Sequence, residues 1–328
     1  MSSMTHLVNK MDMKKKIAEV IRKANNIAMS SHVRPDADSL GSGLALYLML
    51  EQMGKKVSYY NTDRAPFPLT QLPGYPVIQI GQVYPKPFEI LILVEGGTED
   101  RTGLDHIEDY FTINIDHHAT SAYDSNLNWV VPEVAAVGEL VYELGVELGA
   151  EFTRDIGFNL YAAISSDTGS FRYSNTTFKS LGIASDLVRK CHFTPYEVSD
   201  LLFYSNYLEK VQMIQKVLST LDLRLNNRVA IIDFKRDFLA TLNLKDIETE
   251  DIISIARSII GVEATLFFKE IEDNFFRVSI RSRDGLSSQK VARCFKGGGH
   301  DHAAGFFYRG NIGKGKDEVI KVIEDQLR

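Results

Sequence analysis

Asn26-Ile27-Ala28-Met29-Ser30-Ser31-His32-Val33-Arg34-Pro35-Asp36-Ala37-Asp38-Ser39-Leu40-Gly41-Ser42-Gly43 reads as a short buried strand, a polar loop and the start of a helix. Pro35 and the small residues keep the loop from becoming helix, and Ser39 is a serine cap. One imidazole and two carboxylates, His32, Asp36 and Asp38, then stand at the carboxyl end of a strand, where open α/β sheets bind ligands. Mixed N/O donors without a thiolate suit Mn²⁺, Fe or Zn²⁺ rather than a structural cysteine–zinc site. Taken alone, the same stretch reads equally as a polar turn in which Asp36, Asp38 and Ser39 satisfy backbone amides.

Working outward, Ile17, Val20, Ile21 and Ala24 recur at helical spacing upstream. Downstream, the helix from Leu40 to Met53 stops at Gly54, and Val57 to Tyr60 is the next strand. Prolines between Asn61 and Pro87 break any long element and leave a surface excursion with one short strand at Val77 to Ile80. Ile90-Leu91-Ile92-Leu93-Val94 is an uninterrupted apolar run, the mark of a strand covered on both faces, and Glu95 ends it. Phe111 to Ile115 is a further strand, ending at Asp116-His117-His118. Three buried strands therefore stop at His or carboxylate, and a parallel sheet brings their ends to one rim.

Helices are expected over Ala135 to Leu148, Asp155 to Ser166, Ser180 to Lys190 and Pro195 to Phe203, the second closing on Asp167. The fold class is α/β: a parallel-sheet catalytic domain over residues 1–207, a connecting helix in 208–224 and a smaller α+β domain over 225–328. In the last, strands are expected at Val229 to Asp233, Glu263 to Ile271 and Phe275 to Arg283, with helices at Asp251 to Ile260, Gln289 to Phe295 and Lys316 to Gln326.

A chain of 328 residues, 44% hydrophobic, has enough apolar material for two cores. Its 37 Lys and Arg against 43 Asp and Glu, a net charge of -6, argue against long duplex DNA or an anionic membrane as main partner. Cys191 and Cys294 form no CxxC, so neither a disulfide framework nor a cysteine zinc site is indicated. No signal-peptide h-region and no long apolar run is present, and a cytoplasmic location is expected. A homodimer is left open.

Together, His32-x-x-x-Asp36-x-Asp38, the strand-terminal Glu95, Asp116-His117-His118 and Asp167 resemble the motifs of the DHH phosphoesterase family. Gly297-Gly298-Gly299-His300 with Ala303-Ala304-Gly305 resembles the signature of the DHH-associated substrate domain. The likeness spans nearly the whole chain, and within the family it is greatest to cytoplasmic proteins that combine nano-RNase and pAp phosphatase activity. A membrane-bound cyclic-dinucleotide phosphodiesterase would need transmembrane segments, and a RecJ-type exonuclease would be longer.

The resemblance implies two divalent cations, usually Mn²⁺, that activate water. His32 and Asp36 would hold one, Asp38, His117 and Asp167 the other, and Glu95 would bridge them. The family's usual residue at that position is Asp. A glutamate is one methylene longer and shifts the bridging oxygen, which leaves full two-ion occupancy open. Asp116 would orient the neighbouring imidazole, and His118 would face the scissile phosphate. In the second domain Ser279, Arg281 and Arg283 alternate along one strand and share a face, where two arginines can grip phosphate bidentately. The Gly297 to Gly299 turn would let amides approach an anion, and His300 adds a side-chain donor. The implied activity is metal-dependent hydrolysis of short single-stranded oligonucleotides to mononucleotides and of pAp to AMP. Two alternatives are hydrolysis of linear dinucleotides from cyclic-dinucleotide turnover and a catalytically weakened nucleotide-binding protein.

Overall fold

The computed structural model describes residues 2–83, 88–97, 99–119, 121, 124–242, 250–283 and 285–327, without the side chains of 2–12, 99, 250, 251 and 300. It divides into two compact units, Met1–Ser205 and Asn206–Arg328.

The first unit runs α1 (Ser2–Lys23), β1 (Asn26–Ser30), α2 (Ala37–Gln52), β2 (Lys56–Asn61), β3 (Ile78–Ile80), β4 (Ile90–Val94), α3 (Glu99–Thr102), β5 (Thr112–Asp116) and β6 (Leu127–Val130). Four helices follow: α4 (Val137–Leu148), α5 (Arg154–Asp167), α6 (Phe178–Cys191) and α7 (Pro195–Phe203). Its six strands lie in the order β3-β2-β1-β4-β5-β6, and every pairing is parallel. The strand order reverses between β1 and β4, so the crevice beyond their carboxyl ends is the topological switch point at which open α/β sheets bind ligands. β4 is buried along its whole length, as its unbroken apolar sequence predicts.

Helix α2 is buried nearly all round because it packs tightly against α5. A Cβ on Gly41 would fall 2.5 Å from the Asn159 carbonyl oxygen, so only glycine permits this approach. The first turn of α2 and the last turn of α5 consequently meet at the carboxyl rim of the sheet, and with them Asp38 and Asp167.

The second unit runs α8 (Leu208–Leu218), β7 (Asp222–Arg224), β8 (Val229–Phe234), α9 (Arg236–Thr241), α10 (Glu250–Arg257), β9 (Ala264–Glu272), β10 (Phe275–Ser282), α11 (Ser288–Cys294), β11 (Gly298–His300), β12 (Ala303–Arg309) and α12 (Ile312–Leu327). Its sheet order is β11-β12-β10-β9-β8-β7, mixed, with only the β8–β9 pair parallel. Helix α8, expected to be a connector, sends Met213 and Val217 into this unit's core beside Ile232 and Phe267. The Gly-rich segment is an edge strand, not the expected turn. Gly297 needs its missing side chain because a Cβ there would sit 2.2 Å from the Gly305 carbonyl oxygen. Among the described residues, no helix is long and apolar enough to cross a membrane.

Candidate metal centre

Each strand end at the switch point delivers one part of the site. Beyond β1, His32 is 6% exposed, and its Nδ1 lies 2.7 Å from the Val33 carbonyl oxygen. In the neutral ring Nδ1–H donates to that carbonyl, which leaves Nε2 as the atom facing the site. Asp36 caps α2 through Oδ1, accepting the Ser39 amide at 2.9 Å, and its Oδ2 is 3.6 Å from His32 Nε2. The capping turn is thus present, and Asp36 is the cap itself: one carboxylate oxygen serves the helix while the other faces His32.

Asp38, on the first turn of α2, is fully buried. Its carboxylate accepts from the amides of Val137 at 2.7 Å and Gly138 at 3.0 Å and from Ser42 Oγ at 2.9 Å. The N-terminus of α4, whose own Ala136 offers no side-chain cap, is thus closed by a carboxylate from another helix.

Beyond β4, Glu95 turns the chain in the left-handed region, φ 60°, at a cost of about 1 kcal/mol for a non-glycine residue. Its carboxylate is buried between the histidines: Oε2 lies 3.9 Å from His32 Nε2, and Oε1 lies 3.8 Å from His117 Nε2 and 3.7 Å from His118 Nδ1. Beyond β5, His117 points its Nε2 to Asp167 Oδ2 at 3.5 Å and to Asp38 Oδ2 at 3.9 Å. The other ring nitrogen of His117 faces the Val134 carbonyl at 3.3 Å. Asp116 Oδ1 accepts from the His117 and His118 amides at 2.7 and 3.0 Å and from His118 Nδ1 at 2.9 Å. The imidazole that Asp116 orients is therefore that of His118.

Three groups of these atoms are close enough to hold a cation: His32, Asp36 and Glu95; Asp38, His117 and Asp167; and Glu95 with His117 and His118. Separations of 3.5–3.9 Å are too long for hydrogen bonds but near the spacing of roughly 3–3.5 Å between neighbouring donors that each sit ~2.1 Å from one ion. His32 Nε2 and Glu95 Oε2 are buried and make no hydrogen bond, which fits atoms kept for a cation. The electrostatics agree. Burial and the charges of Asp36 and Asp38 push Glu95 well above the carboxylate range, and burial and the same two carboxylates do so for Asp167. Asp38 rises to about 6, from burial foremost and from Asp36, against the pull of His117. Asp36 goes the other way. Its desolvation is outweighed by His32 and the Ser39 amide, and it falls to about 2. Among the described residues, every ion pair these carboxylates make is with an imidazole, so their charge is offset by histidine alone.

Bifunctional oligoribonuclease and PAP phosphatase NrnA of Thermus thermophilus is 30% identical to this chain over 319 residues, 95% of this chain and 93% of the relative. Family models described as DHH family, N-terminal domain, and DHHA1 domain match residues 26–164 and 237–328. The chain belongs to the DHH family. The relative of the same name in Bacillus subtilis is 28% identical over 89% of this chain and 92% of its own. The DHH fold is shared with the crystal structure of an exopolyphosphatase-related protein from Bacteroides fragilis, with a TM-score of 0.84 and 23% identity over 97% of this chain and 96% of that one.

In the DHHA1 part, Arg281 lies on β10, and its Nη1 donates to the Ile280 carbonyl at 3.2 Å. Arg283 falls beyond the end of β10, and its Nη2 donates to the Arg257 carbonyl at 2.9 Å. The expected row of two arginines along one strand is thus interrupted, because the strand ends at Ser282. Gly298 and Gly299 pair with Gly305 and Ala304 of β12. The backbone of His300 continues that strand, and its side chain lies outside the described residues.

Sequence reasoning missed the support behind the DHH histidines. The loop from Val134 to Gly138 supplies the carbonyl to His117 and two amides to Asp38. Glu139, fully buried, holds that loop by accepting the Ala135 amide on Oε1 at 2.9 Å. A glutamate in a helix's first turn ordinarily reads as dipole compensation, and only its burial distinguishes it.

Proposed function

We propose that this chain is a phosphoesterase dependent on two divalent cations, with Mn²⁺ the preferred ion, that hydrolyses short oligonucleotides to mononucleotides and pAp to AMP. The observation that carries this reading is the buried Glu95 carboxylate between His32 on one side and His117 on the other, with Asp36, Asp38 and Asp167 completing two donor groups. The activities for which relatives aligned over nearly the full chain are named support the substrate class.

In this reading His32, Asp36 and Glu95 would hold one cation and Glu95, Asp38, His117 and Asp167 the other. Bound there, the ions supply Lewis-acid activation of water and neutralise charge developing at phosphorus. The protein's own part is positioning. Val33 and Val134 carbonyls set the ring tautomers of His32 and His117. Asp116 accepts a hydrogen bond from His118 Nδ1–H, which leaves Nε2 as the outward ring nitrogen; in the imidazolium form its N–H would donate to a phosphoryl oxygen or protonate the leaving oxygen. Water adds to phosphorus as the P–O ester bond breaks, releasing phosphate and AMP from pAp or a mononucleotide from an oligomer. Arg281 and Arg283 with the Gly297 to His300 segment are the residues we assign to substrate phosphate.

Purified protein with Mn²⁺ and either pAp or a dinucleotide should turn over both, and His117→Ala should abolish turnover while leaving the fold intact by circular dichroism. Absence of turnover of either substrate by the wild type refutes the proposal.

A further inference from the structure

One half-face of the second sheet stays open to solvent, and its composition is unlike that of an ordinary polar surface. The register between β10 and β12 sets Phe275 opposite Arg309, Arg277 opposite Phe307, Ser279 opposite Gly305 and Arg281 opposite Ala303. These eight residues share one face by the two-residue period of a strand, while Phe276, Val278, Ile280, Ala304 and Phe306 on the other face are core. Next to them on β9, Phe267 pairs with Ser279 and is covered by the cluster that α8 and α10 contribute to. Among the described residues no such cover lies over Phe307, which is 62% exposed.

The two outer rungs form a checkerboard of rings and guanidiniums. Phe275 and Phe307 stack diagonally, centroids 5.6 Å apart and planes 22° from parallel, and the Arg309 guanidinium lies 4.4 Å from the Phe275 centroid. The third rung, Ser279 and Gly305, is small and leaves a shallow path toward Arg281. Six residue steps along the strand separate Arg281 from Phe275, so the strip is about 20 Å long, the span of a few nucleotides. Glu272 is 3.8 Å from Arg309, an exposed pair that competes weakly.

We infer that this strip is a binding track for single-stranded oligonucleotide, with Phe307 stacking a base and Arg277 and Arg309 taking backbone phosphates beyond the one assigned to Arg281. Sequence-tolerant stacking beside a cationic groove is how single strands are held without base readout. Charge complementarity selects this occupant over a second copy of the chain: the strip carries Arg277, Arg281 and Arg309, and a polyanion neutralises them where a second copy of the same cationic strip would add like charge. The inference rests on the substrate class proposed above and adds where its length is measured.

The test uses the full chain in chelator, so that nothing is hydrolysed, and fluorescein-labelled oligoadenylates of two, three and five residues. Wild-type affinity should rise with length, and Phe307→Ala should weaken the five-residue oligomer by roughly tenfold, with Phe307→Trp restoring it. Arg277→Ala and Arg309→Ala should each lower the salt slope of log affinity by about 0.7. Length-independent affinity in a wild type that still hydrolyses pAp overturns the track alone. No binding of any oligomer together with no turnover overturns the track and the substrate class. A Phe307→Ala protein that keeps the length dependence but loses a dimer makes the strip a self-contact and overturns the proposal.

Discussion

Truncating Glu139 to alanine isolates the contribution of the buried loop behind the proposed metal centre. Glu139 is fully buried, and its Oε1 accepts the amide of Ala135, itself 1% exposed, at 2.9 Å. Removing the acceptor leaves a buried N–H unsatisfied, and a hydrogen bond to a charged partner of this kind is worth about 1.5–3 kcal/mol. Relief runs the other way, because burial foremost, and Glu143, raise the Glu139 carboxyl above its ordinary range despite the Ala135 amide and Lys179. We expect a net loss of about 2 kcal/mol, which in a unit of this size lowers Tm by roughly 4–8 °C. The functional consequence should be larger than the stability one. Val134 presents its carbonyl to His117, and Val137 and Gly138 present amides to Asp38. Loss of such support behind metal-binding residues typically costs 10–100-fold in metal affinity, approximately the range we expect for Mn²⁺. Glu139→Gln keeps an oxygen for Ala135 and should restore most of both, losing only the attraction to Lys179, 3.9 Å away. Thermal melts by circular dichroism and Mn²⁺ titration by calorimetry read the two effects separately. Wild-type Tm and Mn²⁺ affinity in Glu139→Ala would refute the reasoning, as would a Gln variant as impaired in Mn²⁺ binding as the Ala variant.

Divalent cation should stabilise the first unit by relieving repulsion among Asp36, Asp38, Glu95 and Asp167. At a hundredfold excess over Kd the gain is about 2.7 kcal/mol, read as a rise in Tm that a chelator reverses, and an unchanged Tm contradicts the cluster as a cation site. Asp186 gives an acid-range prediction away from that centre. Its desolvation is outweighed by Lys190, Tyr142 and Arg189, and its pKa falls from 3.8 to about 2. A depressed carboxyl stabilises the fold above its unfolded pKa, and that stability is lost as pH falls from about 4 to about 2. Discounted for solvent screening the contribution is about 1 kcal/mol. The Tm difference between wild type and Asp186→Asn should therefore shrink between pH 7 and pH 3, and a constant difference contradicts it. Gly297→Ala should destabilise the second unit by about 1–3 kcal/mol, because the new Cβ meets the Gly305 carbonyl oxygen. Limited proteolysis near β11 should report it, and wild-type protection would show that β11 shifts freely.

The elements that decide the first unit were legible because their signals are local. Ile90 to Val94 could only be a strand covered on both faces, and the residues ending β1, β4 and β5 announced a rim site once a parallel sheet was inferred. β6 was not legible. Leu127 to Val130 is four residues long, and only its Trp129 is buried. The first half of β12 was hidden as well, since Ala303-Ala304-Gly305 has weak strand propensity and is held by pairing to β10 and β11, whereas Phe306-Phe307-Tyr308 carries a strand signal that sequence reasoning missed. For the arginines expected to bind anions in the second unit, the sequence placed Arg283 in line with Arg281, but β10 stops one residue earlier and the guanidinium turns to the Arg257 carbonyl.

By itself the sequence determined which side chains carry donor atoms and which strand ends present them, because residue type and two- or four-residue periodicity are properties of the chain alone. Tertiary structure decided the rest. That Asp38 closes the N-terminus of α4 and that Glu95 stands between His32 and His117 both depend on distances between segments tens of residues apart. Those distances are set by strand order and by how closely α2 can approach α5, and such packing has no periodicity to read along a single chain.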